Sequence, residues 1–177
     1  AFIAPQADNV SFEIADAESL PFEDASFDMI TCRLAAHHFE DIYKVMLESA
    51  RVLRPSGVLI IEDHLAPEDE RAADYIDAFD MLRDPSHVKA YSETEWRSTY
   101  LDAQLTVDAV NTDVSHHAKF HPWVERMNVP AEDVERLEVM LLQAPDAVKD
   151  WLKPHAIGTP DATFYHRYLI IRGQKPA

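Results

Sequence analysis

Glycine is scarce in this chain, with only Gly57, Gly158 and Gly173 among 177 residues. None precedes residue 57, so the early part of the chain has no glycine-rich turn to cradle a phosphate or a dinucleotide. Cysteine is scarcer still. Cys32 alone excludes an internal disulfide, and one free thiol fits a reducing cytoplasm, the expected location. Basic residues are few, 16 against 32 acids, for a formal net charge of −16. Such a surface repels nucleic-acid phosphates and anionic lipid headgroups, so neither nucleic acid nor membrane is expected as a partner. No apolar run reaches the roughly 18 residues of a bilayer-crossing helix, and no basic, apolar leader stands at the start. Neither a G-x-S-x-G stretch nor a CxxC pair exists, which leaves serine-hydrolase and dithiol redox chemistry without a motif.

What is present is a chain 47% apolar, long enough for one domain with a real core. It starts "AFIAPQ", which reads as the tail of a helix cut in its middle; a fragment, a processed product and the ordered part of a longer protein all remain open. Then comes "VSFEIADAESLPFEDASFDMITC". Val10, Phe12 and Ile14 alternate with Ser11 and Glu13, predicting a half-buried strand at a sheet edge, tipped by Asp16-Ala17-Glu18. An acidic loop follows, and Phe27 to Cys32 reads as a more apolar, more central strand.

Asp41 is placed to cap a helix through about Leu53, with Ile42, Val45, Met46, Ser49, Ala50 and Leu53 on one face. Pro55-Ser56-Gly57 stops it, and "VLIIED" reads as a strand buried on both faces. Residues 66–84 predict an acidic helix with Tyr75, Phe79 and Leu82 on its apolar stripe. Glu93 to Leu105 predicts another helix, Thr106 to Asp113 a strand, 122–153 helices broken near Pro145, and Phe164 to Arg172 the last strand. The pattern predicts an α/β domain with helices on both faces of the sheet. A helical insertion, residues 115–160, precedes the last strand, and Trp123, Met127, Met140, Leu141 and Trp151 are its core or a dimer face.

"ADAESLPFEDASFDMITC", "HHFED" and "RVLRPSGVLIIEDHLAPED" together resemble class I S-adenosylmethionine-dependent methyltransferases, in particular the ubiquinone and menaquinone branch. The resemblance runs from about residue 1 to 113 and again over 164–172. It implies a Rossmann-like sheet with the ligand at the carboxyl ends of its parallel strands. It implies that Asp16 accepts from the adenine amino group of S-adenosylmethionine, that Ala17 offers its backbone N–H to the ring, and that Leu20 lines the adenine face. Cys32 and Arg33 then lie near the methionine end of the cofactor. His37 and His38 face a small-molecule acceptor, with either as general base, and Tyr75 and Phe79 line the substrate. A loop histidine that caps the following helix is an equally good reading of His37 and His38.

The family's earlier strand with its glycine-rich turn, and the next strand with its ribose-holding acid, have no counterpart here. The resemblance therefore implies a truncated, N-terminally incomplete domain over residues 1–177, and weak or absent binding of S-adenosylmethionine by this chain. It also implies that the Phe27 strand exposes an apolar edge, covered by the Val10 strand or by a second chain, which predicts a homodimer. Two function classes follow: a methyltransferase completed by upstream strands, or a non-catalytic binding or assembly module derived from that fold. A metal site on His116, His117 and His121 is a weaker third reading, because no further ligand of fixed spacing accompanies them.

Overall fold

The computed structural model describes residues 9–177. The helix tail expected in "AFIAPQ" lies outside the described residues. The architecture is a mixed α/β fold around a four-stranded open sheet. Its strands are β1 (Phe27–Arg33), β2 (Leu53–His64), β3 (Thr106–Lys119) and β4 (Thr163–Gln174), in the spatial order β1-β2-β4-β3. The β1–β2 pair is parallel, and β4 runs antiparallel to both β2 and β3.

The helices follow from local signals. Asp41 caps α1 (Ile42–Val52) by accepting from the Lys44 N–H, and Ile42, Val45, Met46, Ser49 and Ala50 are buried as the spacing predicts. At the other end Lys175 Nζ donates to the Ala50 and Leu53 carbonyls, covering the acceptors that a helix terminus leaves open. Asp69 caps α2 (Glu70–Arg83), and Ser92 with Glu95 forms a capping box on α3 (Glu93–Asp102). Three further helices, α4 (Phe120–Glu125), α5 (Ala131–Gln143) and α6 (Asp146–Leu152), lie between β3 and β4.

The core has two parts. Ile42, Met46, Leu59, Ile61, Trp96, Tyr100, Leu169 and Ile171 pack α1 and α3 onto the sheet. Phe79, Phe120, Trp123, Leu137, Leu141, Val148 and Phe164 form a second cluster that joins α2 to α4–α6 and the start of β4.

Four expectations change. Val10–Ile14 forms no strand: Phe12 is 61% and Ile14 103% exposed, because alternation creates a strand only where a neighbour accepts its hydrogen bonds. That segment therefore does not cover β1. Next, β1 is not the central strand its apolar composition suggests but an edge strand, as the resemblance implies, with Met29 58% exposed. "VLIIED" alternates buried with half-buried residues instead of being buried on both faces. Finally, β3 continues through "SHHAK" to Lys119, since pairing with β4 out to Lys119↔Thr163 overrides the polar composition.

Candidate active site

The parallel strands β1 and β2 end side by side, and Asp63 at the end of β2 is the hub of the site. It is 1% exposed and takes four donors. Its Oδ2 accepts from the backbone N–H groups of Ala35 (3.1 Å) and Ala36 (2.6 Å). Its Oδ1 accepts from His64 N (2.7 Å) and lies 2.5 Å from His37 Nδ1. The turn after β1 is thereby pinned to β2, and the short helical turn Ala36–His38 presents both histidines at the carboxyl end of the sheet. Burial alone would raise the Asp63 carboxyl, but the His37 contact and the His64 N–H outweigh it and hold it below the usual carboxylate value.

Four further groups extend this arrangement. The His64 ring stacks on His37 at 4.4 Å between centroids, and His87 and His166 flank it. Buried Asp80 of α2 stands 3.7 Å from His64 Nδ1 and 3.8 Å from His166 Nε2, close enough for attraction but beyond good hydrogen-bond length. Burial disfavours an imidazolium at His64, yet the charges of Asp80 and Asp63 prevail and hold its pKa above the ordinary value. Burial pushes His166 down to about 4 despite Asp80, so it is neutral near pH 7. Asp80 is pulled down to about 2: burial opposes ionisation, and the surrounding histidines more than compensate. His87 Nε2 pairs with Asp77 Oδ1 at 2.8 Å, which also accepts from Ala90 N. His38 Nδ1 lies 2.9 Å from the Ser86 carbonyl oxygen, so a proton on Nδ1 makes that bond.

The residues expected on the cofactor side are held by local hydrogen bonds and packing. Asp16 is exposed and its Oδ1 accepts from Glu18 N, closing a turn. Ala17 packs against the first core cluster. Leu20 donates its N–H to Glu48, and Arg51 donates to the Leu20 and Phe22 carbonyls and to Glu48 and Asp24. Glu18 in turn accepts from Asp41 N. The segment 16–24 is thus clipped to α1 although it joins no named strand. Cys32 is half-buried, and burial and Asp63 push its thiol up to about 11. Arg33 is exposed and pairs with Glu62 at 2.9 Å.

Tyr75 and Phe79 stand differently from that group. The Tyr75 hydroxyl donates to the Met140 carbonyl, and Phe79, 0% exposed, stacks on Trp123 at 5.2 Å. Of the metal reading, His116 and His117 lie on β3 and not on one helix face, and His121 Nε2 lies 3.0 Å from the Thr159 carbonyl. Among the described residues no group of three or more His, Cys, Asp or Glu side chains is placed to hold a metal ion.

Asp80, His87 and His166 escape a reading of the sequence. An acid in an acidic helix resembles its neighbours, and a lone histidine carries no spacing. The one available signal is Phe164-x-His166-x-Tyr168, which puts a histidine at an inward position of an alternating strand.

Residues 3–61 match a family described as a methyltransferase domain. YcgJ of Bacillus subtilis, described as an uncharacterized methyltransferase, is 39% identical over 143 residues, covering 81% of this chain and 56% of that protein. The chain therefore spans little more than half the length of this relative. YafE of Escherichia coli, an uncharacterized protein, is 34% identical over 148 residues, covering 84% of this chain and 71% of that one. The crystal structure of YcgJ matches with a TM-score of 0.90 at 34% identity, over 99% of this chain and 76% of that chain. BH2331 of Bacillus halodurans matches with a TM-score of 0.89 at 26% identity, over 99% and 85%.

Proposed function

Because the chain belongs to the class I S-adenosylmethionine-dependent methyltransferases, we propose that it serves methyl transfer to a small-molecule acceptor, with His37 as the general base. The observation that carries this reading is the buried Asp63 with its four donors. With Asp63 accepting the Nδ1 proton of His37, the Nε2 lone pair is left to take a proton from the acceptor. His38, fixed by Ser86, contacts the acceptor beside it.

S-adenosylmethionine, when bound, supplies an electrophilic methyl group on a sulfonium. The residues present fit its adenine end. Asp16 has an oxygen with no protein partner among the described residues, next to the small Ala17 and the clamped Leu20. Cys32 stays a neutral thiol near pH 7, so beside the methionine end it offers no competing thiolate. Tyr75 and Phe79 act through the packing of α2 against α5 and α4, which shapes the acceptor side.

Adenine contacts alone must overcome the cost of association, so binding by this chain is expected to be weak, and the site incomplete without groups for the ribose and methionine portions. Titration calorimetry with S-adenosylmethionine tests this. Micromolar binding abolished by Asp16→Ala supports a retained site, whereas no heat and no thermal shift overturns cofactor binding by this chain.

A second reading is favoured by one observation: among the described residues β1 leaves an edge unpaired in the sheet, with Met29 58% exposed. On that reading the chain is a non-catalytic module, and two copies pair through β1 as a homodimer.

A further inference from the structure

We propose that the cleft at the carboxyl end of β3 is an anion subsite that holds a carboxylate or phosphate group of the acceptor. This rests on the methyltransferase reading only for the word acceptor; the anion chemistry stands on the cleft itself. The cleft, about 620 Å³, is lined by His116, His117, Lys119, Trp123, Glu125 and Arg126, with Glu125 its one carboxylate among these. Arg83, at the end of α2, backs it. Its Nε and Nη2 each donate to the Trp123 carbonyl at 3.2 Å, and its guanidinium lies 4.7 Å from the Trp123 ring centroid. The Nη1 group of Arg83 has no protein partner among the described residues.

The charge pattern makes the case. Acids outnumber bases by 32 to 16, and Arg33, Arg51, Arg54, Arg97, Arg136 and Arg172 each pair with one. Among the described residues, neither Arg83, Lys119 nor Arg126 has a carboxylate within 4.0 Å. Arg71, Lys149, Lys153, Arg167 and Lys175 also lack such a partner among the described residues, so what sets this cleft apart is that three such cations, Arg83, Lys119 and Arg126, stand at one place. Burial lowers the pKa of Arg83 and the Arg126 charge lowers it further, against the opposing pull of the Asp80 and Asp84 charges, so the two guanidinium groups feel each other. An anion between them removes that repulsion and matches the planar donor fork of arginine.

The cleft adjoins the catalytic end. Ring centroids run from His37 to His64 at 4.4 Å, to His166 at 5.2 Å and to Trp123 at 5.4 Å, a chain of packed and largely buried rings that links the site to the cleft. His166 Nε2 is buried without a hydrogen-bond partner, and His166 lies opposite His116 in the β3–β4 register.

The test is an NMR titration of the whole chain with inorganic phosphate and, separately, acetate, at ionic strength held constant with chloride. The Nε–H signals of Arg83 and Arg126 and the Trp123 indole signal are followed. Saturable shifts with roughly millimolar affinity are expected, weakened about fivefold or more in Arg126→Gln. Arg126 is exposed, and an unchanged amide spectrum checks that the variant keeps its fold. Saturation by phosphate alone assigns a phosphate-bearing acceptor, and by both anions a carboxylate-competent site. Shifts that are linear and equal in chloride, or that Arg126→Gln leaves unaltered, overturn the subsite. Because the titration uses no cofactor, its failure beside intact S-adenosylmethionine binding rejects only the subsite, and the converse result rejects only cofactor binding.

Discussion

At the scale of single residues, Asp63 is the position where one atom change reaches furthest. Asp63→Asn keeps the volume but turns one acceptor oxygen into a donor facing backbone N–H groups or the His37 ring. Breaking a buried, hydrogen-bonded charge of this kind costs about 3 kcal/mol or more. A lower urea midpoint with unchanged slope is the expected result, and a midpoint equal to the wild type would show that the carboxylate is not the hub. His166 gives a pH signature. Its pKa is about 4 when folded against 6.5 ordinarily, so between these values the unfolded chain binds more protons. Its contribution is fully present above pH 6.5 and is lost as pH falls toward 4. His64 shifts the other way, and its contribution is lost only as pH rises through its raised value. His166→Gln is therefore expected to flatten the acid-side fall in urea midpoint relative to wild type; parallel curves from pH 6.5 to 4 would contradict the burial argument.

At the scale of elements, the contact of α3 with β4 is tightest at Gly173. A Cβ there would stand 2.4 Å from Tyr100 Cδ1. Tyr100 is wholly buried, and its hydroxyl meets the Leu59 and Ile171 carbonyls at 3.4 and 3.2 Å, so the ring has little room to retreat. Gly173→Ala is expected to cost about 1–3 kcal/mol by overpacking, measured by thermal unfolding; a neutral result would mean that α3 slides freely. Elements with their own caps and stripes were legible in the sequence, as α1 shows: Asp41 starts it and its buried face repeats at helical spacing. Elements that depend on a partner were not. Val10–Ile14 has strand alternation without a neighbour, and "SHHAK" has a neighbour without strand composition. The site divides likewise. His37 and His38 stand in a recognisable motif, whereas their setting comes from Asp63, Asp80 and His166, brought together from β2, α2 and β4 by the fold alone.

At the scale of the whole molecule, assembly turns on the edge of β1 that carries no strand among the described residues. A flat, partly apolar edge with unpaired backbone donors is a template for another strand. The exposed residues Phe12 and Ile14 add apolar surface preceding it in the chain, while the net charge of −16 opposes association of two like chains. Screening settles which effect prevails, because added salt weakens the repulsion and leaves apolar burial intact. The chain is therefore expected to be dimeric at micromolar concentration by light scattering, more firmly so at higher salt. Met29→Lys places a charge on the β1 edge strand and is expected to yield a monomer whose far-UV spectrum is unchanged. A variant that stays dimeric moves the interface elsewhere, most directly to β3, the other edge strand of the sheet. A wild-type chain that is monomeric at every salt concentration removes the assembly reading and leaves β1 as an edge that this chain does not use on its own.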